Sequence, residues 1–216
     1  MKLLNTFVAA GISVAGVSAA NANQSNAIVA LYNGSSSLSE QTAQDMGCSV
    51  YRSGPIFAQQ GSIKVEEPSS YAVLNCDKPV LANPNTRVQL TGAVAVFEGD
   101  LSLFPAASDT SGMAERQYIL KLGYYNNNDI SQRDEDLVAL GAIAKQRDGH
   151  WISEAFLNVD DAMGMATPDE VVIIYYDTAD QATAFRDNNQ DILEKVGAFN
   201  RAHLTGFSYL VGKATQ

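Results

Sequence analysis

Histidine and cysteine are scarce in this chain, with two of each among 216 residues, and there is a single tryptophan. No H-x-x-x-H or C-x-x-C pattern occurs, so no metal site built from protein ligands is expected. No G-x-S-x-G elbow, phosphate-cradling P-loop or dinucleotide fingerprint is present either. Positive charge is in deficit, with 14 Lys and Arg against 24 Asp and Glu. That balance disfavours nucleic acids and anionic membranes as partners. Beyond residue 23 no apolar run reaches the length of a bilayer span.

What is present begins with an N-terminus that reads as an export leader. Lys2 supplies the positive start, Leu3 to Val17 is mostly apolar, and Ala20-Asn21-Ala22 has the small-residue pattern of a cleavage site. A leader over 1–22 implies a periplasmic or secreted protein, and losing Lys2 makes the mature chain more acidic still. In an oxidising compartment an isolated pair of cysteines is expected to bridge, here Cys48 with Cys76. If the segments carrying them pair as a hairpin, the two stand opposite each other.

The composition shifts near Pro105. "FPAASDTSGMAER" (104–116) reads as a connection, dividing the chain into 23–105, a linker over 106–115, and 116–216. The second part is the more legible. Strand signals cover Tyr118 to Tyr125, His150 to Val159, Glu170 to Asp177 and Phe207 to Gly212. A helix follows "NNND", with Leu137, Leu140 and Ala144 on one face. A second starts at the capping pair Thr178 and Gln181 and presents Ile192, Val196, Phe199 and His203. The order β-α-β-β-α-β is that of a ferredoxin-like domain. Val171 to Tyr176 has no polar residue on either face, so both faces of the sheet must be covered. The helices cover one. Either a partner chain, in a homodimer, or the first part of this chain covers the other. The first part begins β-α-β-β, but "KPVLANPNTRVQL" lacks the pattern of a second full helix. The fold class expected is therefore α+β, with a ferredoxin-like C-terminal domain packed on a smaller β-rich or degenerate ferredoxin-like N-terminal half.

From Arg116 to Ala214 this element order, the doubly covered sheet and its aromatics resemble the dimeric α+β barrel superfamily, which includes antibiotic-biosynthesis-monooxygenase-like proteins. The resemblance implies two facing sheets, from a dimer or from tandem repeats. It also implies a pocket, in some members one used for cofactor-independent oxygenation. It is architectural, and it carries no catalytic residue across.

The candidate site comes from strand alternation. In "RDGHWISEAF" (147–156), His150, Ile152, Glu154 and Phe156 share one face and Trp151, Ser153, Ala155 and Leu157 the other. With Trp151 under the helices, His150 and Glu154 face the second layer. The matching assignment on the first strand puts Leu120 and Leu122 under the helices and Lys121 and Tyr125 toward that layer. His150, Glu154 and Tyr125 would then be the proton-transfer candidates. Lys121, Phe156, Tyr175, His203 and Tyr209 would line a site for a small apolar or aromatic ligand. The plainer alternative makes His150 a surface turn residue, Glu154 a partner of Lys121, and His203 a helix C-terminal cap. No cofactor is expected; haem, with one axial histidine, is the alternative. Two functions from different classes stand side by side: a ligand-binding barrel, with or without chemistry, and a non-catalytic interaction protein whose covered face is filled.

Overall fold

The computed structural model describes residues 25–215; the expected leader lies outside them. The strands are β1 (Ser25–Asn33), β2 (Cys48–Gly61), β3 (Pro68–Cys76), β4 (Ala93–Leu103), β5 (Gln117–Tyr125), β6 (Ile152–Met163), β7 (Glu170–Tyr176) and β8 (Leu204–Gly212). They close into one antiparallel barrel in the order β1-β3-β2-β8-β5-β7-β6-β4, and β4 returns to pair with β1. The neighbours within the first half run β4-β1-β3-β2, and those within the second run β8-β5-β7-β6. The second face of β7 is thus covered by the first half of the same chain. All seven β7 residues are buried, as their unbroken apolar run requires.

The two halves join along two seams, β2 with β8 and β4 with β6. Each seam has a glycine where the backbones close up. A Cβ on Gly54 would strike the Lys213 carbonyl oxygen, and one on Gly99 that of Asn158. Only a residue without a side chain permits that approach.

The helices lie outside the barrel. In the first half α1 (Glu40–Asp45) is capped by Ser39, whose hydroxyl accepts from the Thr42 amide, and α2 (Pro84–Arg87) is a single turn. The proline- and asparagine-rich stretch therefore supports only this turn and a short 3-10 segment, Val88–Leu90. In the second half α3 (Ile130–Ala144), α4 (Ala179–Asn188) and α5 (Gln190–His203) pack on the outer face of β5, β7 and β8. The Thr178 hydroxyl accepts from the Gln181 amide as the capping pattern predicts. The Gln181 side chain accepts from the Asp177 amide, one residue before the expected partner. This helical region breaks at Asn189, whose φ of −130° lies outside the helical range.

Three apolar clusters result. The barrel interior takes side chains from all eight strands, among them Val29, Ile56, Val73, Phe97, Leu120, Leu157, Ile173 and Leu210. The helix layer holds Ile119, Val172, Ile174, Trp151, Phe185, Ile192, Val196 and Phe199. The third cluster sits outside β1, β3 and β4 under α1 and the 80–90 segment. Cys48 and Cys76 belong to it; they face each other across β2 and β3 and form the expected disulfide. Among the described residues no helix is long and apolar enough to cross a membrane.

Candidate functional site

Two irregularities in the strands build the polar site. The register slips between Val50 and Arg52 on β2 and between Ser153 and Ala155 on β6. A bulge inserts one residue and re-aims the side chains beside it. On β6 the effect is decisive. Trp151 lies under the helices, Ile152 packs on the interior cluster, and beyond the bulge Ala155 and Leu157 also point inward while Phe156 packs outward. Strict alternation from 150 to 157 therefore fails. Glu154, at the bulge, is wholly buried.

The Glu154 carboxylate is the hub of a cluster at one end of the barrel. Tyr51 Oη donates to its Oε1 and Tyr118 Oη to its Oε2, each at 2.9 Å. Arg52 Nε lies 2.8 Å from Oε1, although out of line for a hydrogen bond. Arg116 Nη1 stands 4.0 Å from Oε2. Arg116 lies over the Tyr175 ring, with Cζ 4.0 Å from the centroid, and Arg52 over Tyr51 at 4.3 Å. Tyr118 and Tyr175 pack at 5.6 Å between centroids. Arg116 is 2% exposed and Arg52 6%.

The segment between β4 and β5 closes this end. It contains two 3-10 turns, Pro105–Ser108 and Met113–Glu115. Arg52 Nη2 donates to the Ala107 carbonyl at 3.2 Å and Arg116 Nη1 to that of Asp109 at 2.8 Å. The Phe104 amide donates to the Glu154 carbonyl at 3.0 Å. The 106–115 segment, expected as a linker, thus forms the cover of the barrel's polar end.

Burial, reinforced by the Glu154 charge, pushes the Tyr51 and Tyr118 phenols up. Burial, with the Tyr118 and Glu154 charges adding to it, pushes Tyr71 up too. All three are neutral hydrogen-bond donors at neutral pH. Burial pulls Arg52 down, but Glu154 and its phenolic neighbours outweigh it, and the guanidinium stays charged. Three buried polar atoms here lack a hydrogen-bond partner: Arg52 Nε, Arg116 Nε and Tyr71 Oη. Such groups are rare in protein interiors and call for a ligand, water or ion. The arrangement offers donors almost exclusively, around one carboxylate already engaged.

The sequence-predicted residues are not brought together. His150 sits in the turn before β6, half-buried, with Nδ1 3.0 Å from the Arg147 carbonyl oxygen. The assignment on β5 is reversed: Leu120 and Leu122 point into the barrel, and Lys121 points under the helices. Alternation fixes which residues share a face but not which face is inside. Lys121, fully buried, pairs with Glu170 at 2.8 Å, and Tyr125 Oη donates to the same carboxylate at 2.8 Å. That ion pair resolves the cost of a lysine in the helix layer. Glu154 and Lys121 are therefore on opposite faces of the sheet and not partners. Tyr209 also faces the helices and accepts from Asn200 Nδ2 at 3.0 Å. His203 Nε2 is 2.8 Å from Asp136 Oδ2 and ties α5 to α3. Tyr175 and Glu154 alone of the eight candidate residues join the interior cluster.

Sequence reasoning missed Arg52, Arg116, Tyr51, Tyr71 and Tyr118. A usable signal existed: "SVYRSG" puts an arginine inside a strand pattern, and Arg116 directly precedes another. A cation that must enter a barrel wall needs a buried partner. The middle of the barrel offers no room, since Val29, Phe97, Leu120, Leu157, Ile173 and Leu210 are each fully inaccessible. A separate surface groove of about 470 Å³ runs between Gly149 and α4, lined by Gln181, Phe185 and Asn188, remote from this cluster. Among the described residues no group of three or more His, Cys, Asp or Glu could hold a metal ion.

No protein-family model matches the chain, and no curated protein sequence does. Solved structures do. An anthrone oxidase-like protein superposes with a TM-score of 0.52 at 11% identity, over 93% of this chain and 94% of that one. A candidate monooxygenase from Lactobacillus acidophilus NCFM matches with a TM-score of 0.46 at 9% identity, over 89% of this chain and 94% of its own. At such identity the likeness to the anthrone oxidase-like protein shows a shared α+β barrel fold and nothing about chemistry.

Proposed function

We propose that this chain is an exported, single-chain α+β barrel protein that binds a small apolar or aromatic molecule at the Glu154 end of the barrel. The observation that carries the reading is the presence of two unpartnered buried donors, Arg116 Nε and Tyr71 Oη, beside the Glu154 cluster at one end of an otherwise apolar interior. The identical neighbour order of the two halves supports a tandem of two β-α-β-β-α-β units, the first degenerate in its second helix. One chain closes the barrel, so a second copy is not needed to cover β7. The disulfide fits export to the periplasm or beyond. If the site does chemistry, Glu154 is the residue within reach of the ligand, with Tyr51 and Tyr118 tuning it. His150 and Tyr125 would act only by another route, since they lie elsewhere.

The test is to purify the protein from its native host, denature it and identify any released small molecule by mass spectrometry. A thermal-shift screen of neutral and acidic aromatics should accompany it. A retained molecule, or a hit abolished by substituting Tyr71, supports the reading. If nothing is retained and nothing shifts the melting temperature, the second reading stands: a non-catalytic interaction protein. The filled middle of the barrel favours that alternative.

A further inference from the structure

The charges at the Glu154 end do not balance inside the protein. Two guanidiniums, Arg52 and Arg116, face one buried carboxylate. Glu154 is already engaged by Arg52 and two phenols. Arg116 is the under-compensated cation. Its approach to Glu154 is 4.0 Å, its Nε has no partner, and its nearest carboxylate is that of Asp109, at 3.3 Å from Nη2. Asp109 belongs to the covering segment, and its side chain is 56% exposed while that of Arg116 is 2% exposed. A buried cation is therefore neutralised by a carboxylate that reaches in from solvent. Asp109 Oδ1 accepts from the Ser111 amide and hydroxyl, so only Oδ2 answers Arg116, and this oxygen is the exchangeable occupant.

Resting on the ligand-binding reading above, the geometry points to a narrower ligand class: a small aromatic acid, whose carboxylate or phenolate oxygen replaces Asp109 on Arg116. Guanidinium presents donors in a planar fork that suits a carboxylate. Arg116 Nε is a donor that Asp109 leaves unused. Leu103, Ala106, Met113 and Ile152 are half-buried against the interior cluster and give the aromatic body an apolar wall. The Tyr175 ring under Arg116 fixes the plane of the fork. Asp109 is then an internal competitor. It holds the cover shut and is displaced by an acid but not by a neutral isostere.

The experiment titrates the full-length protein with benzoate and, separately, benzamide by calorimetry, using the parent chain, Asp109→Asn and Arg116→Lys. Benzoate should bind about tenfold tighter than benzamide, the difference expected of a charge-assisted over a neutral contact. D109N removes the carboxylate that faces buried Arg116, so its melting temperature is read first; folded D109N should tighten benzoate about twofold to fivefold, as loss of a competing ion pair allows. It should leave benzamide unchanged. R116K keeps the charge but loses the fork and should erase the preference for benzoate; its melting temperature reports whether it folds, and if it does not, D109N decides alone. Equal binding of the two probes, or a D109N that moves both alike, overturns the aromatic-acid assignment while ligand binding stands. If neither probe binds the parent chain or D109N at millimolar concentration, the ligand-binding reading itself falls, and this one with it.

Discussion

Replacing Glu154 by Gln tests whether the cluster is an electrostatic unit. The amide keeps the volume, but its single oxygen can replace only one of the two acceptors used by Tyr51 and Tyr118, so the perturbation is the lost charge plus one phenol that must turn to accept from the amide NH2. Arg52 Nε at 2.8 Å and Arg116 Nη1 at 4.0 Å then have no buried counter-ion. At an effective dielectric near 20, each pair at about 4 Å is worth roughly 4 kcal/mol before desolvation is counted. Measured losses on breaking a buried pair are about 3–5 kcal/mol, because the remaining charge stays buried. E154Q should therefore lose about that much in urea unfolding with the m-value unchanged. Removing Arg52 as well, as Arg52→Met with E154Q, should cost far less than the sum of the single changes, with a coupling of about 2 kcal/mol or more. An E154Q protein within about 0.5 kcal/mol of the parent would sink the idea, as would strict additivity in the cycle.

Three other outcomes follow from the fold. Gly99→Ala should destabilise by about 3 kcal/mol or more, because its Cβ meets the Asn158 backbone at the β4–β6 seam and neither strand can yield alone; a melting temperature equal to the parent's would refute the seam geometry. Removing the disulfide as a Cys48→Ala and Cys76→Ala pair should cost about 3–4 kcal/mol for a loop with sequence separation 28, read by urea unfolding against the oxidised parent. Alkali should also weaken the fold. Burial pushes the Tyr32 hydroxyl from its ordinary 10.0 to about 12, so above pH 10 the unfolded chain releases a proton that the folded chain keeps. Stability present below that pH is lost as it rises through the window from 10.0 to about 12. Tyr51, Tyr71 and Tyr118 shift the same way. Phenolate absorbance that rises around pH 10 without unfolding would contradict their burial.

Local patterns in the chain sufficed for most elements. The Leu137, Leu140 and Ala144 stripe, the Thr178 cap and the two-faced burial of Val171 to Tyr176 follow from short-range periodicity and appear in place. The cysteine pair followed from count and hairpin register. Strand parity likewise separated Lys121 from Leu120. Parity carries no sign, however, and the wrong face was assigned because the buried partner Glu170 lies far along the chain.

The sequence by itself determined an α+β chain in which one sheet is buried on both faces, since those are consequences of local periodicity and of unbroken apolar runs. Only the tertiary structure decided what covers that sheet and which polar groups meet inside. Arg52 and Glu154 come from two separated strands and are turned by a bulge in each, while Arg116 arrives from the covering segment just before β5. Bulges and long-range closure depend on how strands pair across the whole barrel, and no local pattern encodes where a register will slip. Thus His150 and Glu154, four residues apart in one strand signal, end in different environments.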